Sequence, residues 1–125
     1  MSIKMSSSMI HENVLAYYRF LDAQQIDELL ALYAENIVYN RCGTMIEGMP
    51  ALSEFFHNQR GIQGIHRVKD IITVERRVIV RGWFEGQTAS RAPVELHFAE
   101  FYDFDDDDKI CVRESYLATG FELTK

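Results

Sequence analysis

Hydrophobic residues in the first part of the chain recur at the spacing of a helix. Four of them lie three or four positions apart and form one stripe over residues 9–21: Ile10, Val14, Tyr17 and Leu21. Asp22 followed by Gln25 resembles a helix cap with its reciprocal partner, and helical spacing resumes after it. The pattern therefore predicts one long helix and a second, short helix close behind it.

A third helix and five strands follow from the same pattern. Pro50 suits a first helical turn, the stripe of Leu52, Phe55 and Phe56 follows it, and Gly61 ends a helix over residues 50–59. Alternation or β-branched runs then predict strands over residues 37–41, 65–74, 77–85, 94–104 and 109–117. The four aspartates between the last two strands predict a hairpin turn.

Helices first and antiparallel strands afterwards indicate an α+β domain. We expect a curved, cone-shaped antiparallel sheet with three helices in the N-terminal half, which together enclose a pocket. A length of 125 residues suits one domain, assigned here to residues 9–125, and the polar segment 1–8 is expected to be disordered.

Four ionisable residues fall on strand faces that are otherwise apolar: His66, Asp70, Glu100 and Glu114. An unpaired buried charge costs several kcal/mol, so such a set is either mutually paired or lines a cavity. The pattern favours a cavity. A bulge that shifts a strand by one residue would instead turn its side chains to the other face.

The opposite sheet face carries Arg81 and three large apolar residues in the same alternation: Trp83, Phe101 and Leu117. Exposed apolar positions of this size need cover. The pattern therefore predicts a homodimer formed through the outer face of the sheet, with Arg81 outside the pocket.

Composition excludes several partner classes. Thirteen Lys and Arg against nineteen Asp and Glu give a net charge of −6, which argues against a nucleic-acid partner. No apolar run approaches the roughly 20 residues of a membrane span, so a cytoplasmic protein is expected. Cys42 and Cys111 lack the partners of a metal or disulfide framework and are expected to be reduced thiols.

The acidic run also matches five ligand positions of a calcium-binding loop, from Asp103 to Glu114. The sixth position of that loop should be glycine and is Asp108, and both flanks alternate as strands where helices are required. We therefore predict a solvated hairpin tip and no metal site.

Residues 10–118 resemble the nuclear transport factor 2-like superfamily, in particular ketosteroid isomerases and SnoaL-like polyketide cyclases. The resemblance is carried by FLDAQQIDELLALYAENIVY, GMPALSEFF, GIHRVKDI and EFYDFDDDDKICVRESY. It implies the cone fold, and it leaves the reaction open because the superfamily includes isomerases, dehydratases, epoxide hydrolases and binding modules.

The resemblance also implies roles for individual residues. Tyr17 and Glu100 match an oxyanion-binding pair, in which Glu100 would be protonated by its apolar surroundings. Arg41 stands where ketosteroid isomerases have their general base, which arginine cannot replace. His66, oriented by Asp70, or Glu114 would then move the proton.

Four further residues complete the implied site. Tyr39 and Arg41 match the position of two water-holding residues of epoxide hydrolases, and Arg41 could alternatively neutralise Glu100 or Glu114 across the cavity. Phe98 and Tyr102 share the strand face of Glu100 and are predicted to line the ligand site.

Two functions follow from these expectations. The first is a small, cofactor-free acid–base enzyme, an isomerase, dehydratase or aldol-type cyclase, acting on an apolar, carbonyl-bearing molecule in the cavity. The second is a non-catalytic ligand-binding or dimerisation module with the same fold. The sequence does not choose between them.

Overall fold

Three helices occupy the first half of the chain in the structure, a computed structural model that describes residues 3–118, with side chains from residue 8 onward. The first, α1, spans Ile3–Asp22 and so begins earlier than the pattern predicts. Helix α2 spans Ile26–Leu30 and α3 spans Met49–Glu54. The predicted irregular segment 1–8 and the C-terminal end of the predicted domain lie partly outside the described residues.

Six strands form one curved, open sheet, which confirms the predicted α+β class. Their bounds are β1 Tyr33–Arg41, β2 Thr44–Glu47, β3 Ile62–Val74, β4 Arg77–Thr88, β5 Pro93–Phe104 and β6 Ile110–Leu117. The order across the sheet is β2-β1-β6-β5-β4-β3. Neighbours are antiparallel except β1 and β6, which run parallel, and the short strand β2 was not predicted.

The core lies between the helices and the concave face of the sheet, where α1 packs on β3 and β4 and α3 packs on β1. Each stripe residue predicted for α1 is buried: Ile10, Val14, Tyr17 and Leu21. The inward-facing residues of β4 and β5 meet them, among them Val78, Val80, Phe98 and Tyr102. The predicted periodicities of 3.6 and 2 residues are therefore confirmed where no bulge intervenes.

A bulge in β3 reverses the predicted orientation of Asp70. Val68 pairs with Gly82 and Asp70 pairs with Arg81, which leaves Lys69 as an extra residue. Asp70 consequently lies on the outer face, where Arg81 Nε donates to its Oδ2 at 2.8 Å. The prediction that Asp70 faces the cavity and orients His66 is wrong, whereas the outward placement of Arg81 is confirmed.

A second bulge, in β6, reverses Glu114 and Leu117. Asp103 pairs with Val112 and Phe104 pairs with Ile110, so Cys111 is the extra residue. Beyond it the odd-numbered residues face inward, and Glu114 lies on the outer face, where Tyr116 donates to it at 2.8 Å. Glu114 as a cavity acid and Leu117 as an outer-face residue are therefore both wrong predictions.

Helix α3 ends in a π-helical turn, Phe55–Gln59, rather than continuing as the predicted α-helix. The N–H of Arg60 donates to the carbonyl of Phe55 at 2.9 Å and closes this wider turn. The extra residue in the turn lets the adjacent rings of Phe55 and Phe56 both become buried. It also sets Arg60 at the start of the extended segment that enters β3.

The acidic run forms the predicted hairpin tip between β5 and β6. Asp105 Oδ1 accepts hydrogen bonds from the N–H groups of Asp107 and Lys109, at 2.9 and 3.0 Å. Asp108 takes the left-handed conformation, with φ of 59°. No helix within the described residues is long and apolar enough to cross a membrane.

Candidate functional site

A small cavity of about 50 Å³ lies between the helices and the concave face of the sheet. Its wall combines apolar side chains with seven polar or charged ones. The apolar wall residues include Leu21, Phe55, Phe56, Phe84, Leu96, Phe98 and Leu117, and the polar or charged ones are Tyr39, Arg41, Arg60, His66, Glu100, Arg113 and Ser115. Of the four ionisable residues expected in the cavity, His66 and Glu100 line it, whereas Asp70 and Glu114 do not.

His66 is held in place by Asp22, the last residue of α1. His66 Nδ1 and Asp22 Oδ1 lie 2.5 Å apart, and the backbone N–H of His66 donates to Asp22 Oδ2 at 2.9 Å. One carboxylate thus fixes both the ring and the strand that carries it. The rings of Tyr18, Phe84 and Phe98 surround the imidazole, with centroids 4.9–5.7 Å away.

The second ring nitrogen of His66, Nε2, forms no hydrogen bond with any described residue, and the side chain is 8% exposed. An Nδ1–H donated to the carboxylate leaves the lone pair of neutral imidazole on Nε2. Since His66 lines the cavity, this nitrogen is the group available to accept or return a proton there.

Glu100 is buried and accepts hydrogen bonds at both oxygens. Tyr18 donates to Oε1 at 2.6 Å, and Tyr102 in turn donates to the Tyr18 hydroxyl at 2.7 Å. Ser115 donates to Oε2 at 2.5 Å, and Arg113 forms an ion pair with that oxygen. These three donors, one of them a guanidinium, suit an ionised carboxylate.

The ionised state of Glu100 overturns the prediction that it holds a proton. Burial pushes the pKa of Glu100 upward, but the charge of Arg113 and the hydrogen bonds from Ser115 and Tyr18 outweigh it, and the pKa lies below its ordinary value. The charge that neutralises Glu100 is Arg113. The alternative expectation, that Arg41 neutralises Glu100, is therefore also wrong. An ionised carboxylate has no proton to donate and therefore cannot share an oxyanion.

Tyr17 lies in the same buried cluster but does not contact Glu100. Its hydroxyl oxygen accepts a hydrogen bond from Tyr33 at 2.8 Å and another from Arg113. Burial raises the pKa of Tyr17 well above its ordinary value, and that of Tyr33 to about 12, so both phenols are neutral. The structure therefore places Arg113 between the two residues predicted to form an oxyanion pair.

Arg113 is the centre of this cluster. Its guanidinium lies over the rings of Tyr39, Tyr17 and Tyr102, at 4.4, 4.8 and 5.3 Å from their centroids. Burial alone would lower the pKa of Arg113, but the charge of Glu100 outweighs it and the pKa is raised. The pair is therefore ionised on both sides.

The predicted ligand-binding residues have different positions. Tyr39, Arg41 and Phe98 line the cavity, whereas Tyr102 is fully buried behind it and is not part of the wall. The Tyr39 and Ser115 hydroxyls are hydrogen-bonded at 2.9 Å. The guanidinium carbon of Arg41 lies 5.3 Å from the centre of the Phe55 ring.

Sequence reasoning missed five residues of the site: Tyr18, Asp22, Arg60, Arg113 and Ser115. Tyr18 and Asp22 are four residues apart, on a second row of the α1 stripe, and that spacing could have revealed them. Asp22 was interpreted as a helix cap instead, but Gln25 is the cap residue of α2 and it makes no side-chain cap bond. Strict alternation along β6 places Arg113 and Ser115 on the outer face, and the bulge at Cys111 turns both inward.

The sequence model of the SnoaL-like domain family matches residues 14–113, which is most of the chain. The match runs from the stripe of α1 to the central arginine of the buried cluster. The chain belongs to the SnoaL-like domain family. Among curated proteins, none matches it significantly by sequence.

Solved structures show the same fold at low sequence identity. A candidate SnoaL-like polyketide cyclase from Shewanella denitrificans OS-217 has a TM-score of 0.82 at 11% identity, covering 93% of this chain and 95% of its own. An M. tuberculosis epoxide hydrolase of the LEH-like type also has a TM-score of 0.82, at 15% identity, with coverages of 94% and 88%.

A third similar structure is SalBIII, an epoxide hydrolase/cyclase-like enzyme involved in pyran ring formation in salinomycin. Its TM-score is 0.81 at 17% identity, and 90% of this chain and 93% of that chain are covered. At these identities the similarity establishes the SnoaL-like fold and leaves the chemistry to the site itself.

Proposed function

We propose that this SnoaL-like protein is a small acid–base enzyme that acts on an apolar, carbonyl-bearing molecule in the cavity. The observation that carries the proposal is the Asp22–His66 pair, with Nε2 of His66 unpaired beside an apolar wall. An oriented histidine next to a carboxylate is a common general base.

The proposed step is a proton transfer at carbon. His66 Nε2 takes a proton from the carbon next to the carbonyl, the C–H electron pair becomes the enolate, and Asp22 stabilises the imidazolium. The imidazolium then returns the proton to another carbon, in an isomerisation, or to a departing hydroxyl, in a dehydration.

The experiment measures exchange of the α-hydrogens of phenylacetone and related apolar ketones in D2O by proton NMR. We expect the protein to accelerate exchange, and His66→Gln to return the rate to background. Asp22→Asn should lower the rate strongly, because it removes the charge that orients and stabilises the ring. The matched control is His97→Gln, which changes an exposed histidine on the outer sheet face.

A second candidate is a binding module without catalysis. It is favoured by the Glu100 cluster, because both oxygens of its carboxylate are bound to partners within the protein. Ligand binding to the cavity with exchange that is unaffected by His66→Gln would support this second function and contradict the first.

A further inference from the structure

Two arginines in the cavity wall form no ion pair with any described residue, whereas the third arginine of the wall, Arg113, is paired with Glu100. Ion pairs hold Arg67, Arg76, Arg77, Arg81 and Arg113 to acidic residues. Within the described residues, Arg41 and Arg60 have no carboxylate within 4 Å.

Arg60 is the more constrained of the two. Its Nη1 donates to the carbonyl of Ile62 at 3.1 Å, and its guanidinium lies 6.0 Å from the centre of the Phe84 ring. Burial lowers the pKa of Arg60, and the positive charges of Arg113 and Arg41 lower it further. Like charges are thus gathered around a half-buried guanidinium, an arrangement that a bound anion would relieve.

A wider basin of about 680 Å³ adjoins the cavity at Arg60. The two share Leu21, Phe56, Arg60 and Ile62 as a common wall. The basin contains a second guanidinium, that of Arg91, and none of its lining residues is acidic. Its volume lies in the range of small-molecule sites, which is roughly 300–1,000 Å³.

We propose that the substrate is an apolar molecule with an anionic oxygen group, a carboxylate or a phosphate ester, bound by Arg60 and Arg41 where the cavity meets the basin. The reacting end of the molecule enters the small aromatic cavity beside His66, the anionic group stays at the arginines, and the rest of the apolar body lies in the wider basin. Guanidinium is suited to both groups because its paired N–H donors match two oxygens. This inference rests on the proposed function in one respect, namely that the substrate binds in the same cavity.

The experiment compares charged and neutral versions of one probe by isothermal titration calorimetry at low salt. Cinnamate is paired with cinnamamide, and cinnamyl phosphate with cinnamyl alcohol. We expect at least one anion to bind about tenfold or more tightly than its neutral partner. The pair of probes that shows the larger difference in affinity tells whether the substrate carries a carboxylate or a phosphate.

Substitutions then assign the preference to the arginines. Arg60→Gln and Arg41→Gln should each reduce it, Arg60→Lys should retain part of it, and the control Arg19→Gln, on the exposed side of α1, should leave it unchanged. Equal affinity for both members of each pair, no binding in either arm, or a preference that survives both glutamine substitutions would overturn the proposal.

The two proposals fail separately. His66→Gln should abolish hydrogen exchange and keep the preference for the anion. If anion preference is present but exchange does not depend on His66, the substrate class stands and the catalytic role falls. If exchange depends on His66 but no anion preference is found, the catalytic role of His66 stands and the anionic substrate class falls.

Discussion

Glu100 and Arg113 form a buried ion pair in the wall of the cavity. With both partners about 5% exposed, removing one leaves the other charged and desolvated. The surrounding hydroxyls of Tyr18 and Ser115 would then lose their acceptor as well. The stability of the cavity wall therefore depends on both members being present.

We expect Glu100→Ala to lower the free energy of unfolding by about 3–5 kcal/mol, since it leaves Arg113 unpaired. Glu100→Gln should cost less, because the amide oxygen can still accept hydrogen bonds. Urea denaturation measures both. Asp70→Asn, which breaks the exposed pair with Arg81, is the control and should cost less than about 1 kcal/mol. Equal costs at the two sites would contradict the structural role of Glu100.

Acidification should weaken the fold through the same carboxylate. Because the pKa of Glu100 is lower in the folded state than its ordinary value of 4.5, the unfolded chain binds more protons as the pH falls. The stabilisation is complete above the unfolded pKa and is lost as pH drops through the folded one.

Urea titrations across the acid range test this prediction. The wild-type protein should lose more unfolding free energy than Glu100→Gln when the pH is lowered from neutral to about 3. Parallel losses in the two proteins would show that Glu100 does not have a lowered pKa.

At the scale of elements, the two bulges decide which side chains meet in the site. The bulge at Lys69 sends Asp70 outward, and the bulge at Cys111 brings Arg113 and Ser115 inward. Gly82 pairs with Val68, the last residue before the first bulge. A Cβ on Gly82 would lie 2.0 Å from the carbonyl oxygen of Arg67, so this close strand approach requires glycine.

Gly82→Ala should therefore destabilise the protein by about 1–3 kcal/mol, because the β3 backbone must move. The measurement is the melting temperature by circular dichroism. Gly61→Ala is the matched control, since a Cβ there would meet no heavy atom within 4 Å and should change stability little. An unchanged melting temperature for Gly82→Ala would show that β3 and β4 are not packed as described.

Periodicity predicts elements well and side-chain faces only up to the first bulge. The helical stripe and the strands were predicted because burial follows a period that is visible in the letters. Neither bulge is marked by glycine or proline, since the extra residues are Lys69 and Cys111. Every inference beyond them, including Glu114 as the base and Leu117 at an interface, was therefore shifted by one face.

For the whole molecule, we propose a homodimer formed through the outer sheet face. Trp83 and Phe101 face outward as predicted and are only half-buried in the single chain. A groove of about 490 Å³ on this face is lined mainly by apolar side chains, among them Trp83 and Ala99, and has Lys69 and Arg81 at its border. An apolar surface of this kind on a protein this small favours association.

Sedimentation should show a dimer at micromolar concentration. Phe101→Glu should shift the protein to the monomer, because it places an unpaired charge in the contact between the two outer sheet faces. The backbone hydrogen bonds of β5 and the fold of the single chain should remain. Met45→Glu is the control, because Met45 is an exposed apolar residue that lies on β2, at the edge of the sheet and away from the proposed contact. A wild-type monomer, or equal dissociation by both variants, would contradict this interface.

Strand β3 is an edge of the sheet and carries exposed Ile65, Ile72 and Val74 along its 13 residues. A long, flat, apolar edge is a template on which further chains can add strand by strand. The extra residue at Lys69 interrupts the regular row of backbone donors and acceptors and presents a positive charge at that point. The same irregularity that turns Asp70 away from the cavity thus protects the protein against open-ended aggregation.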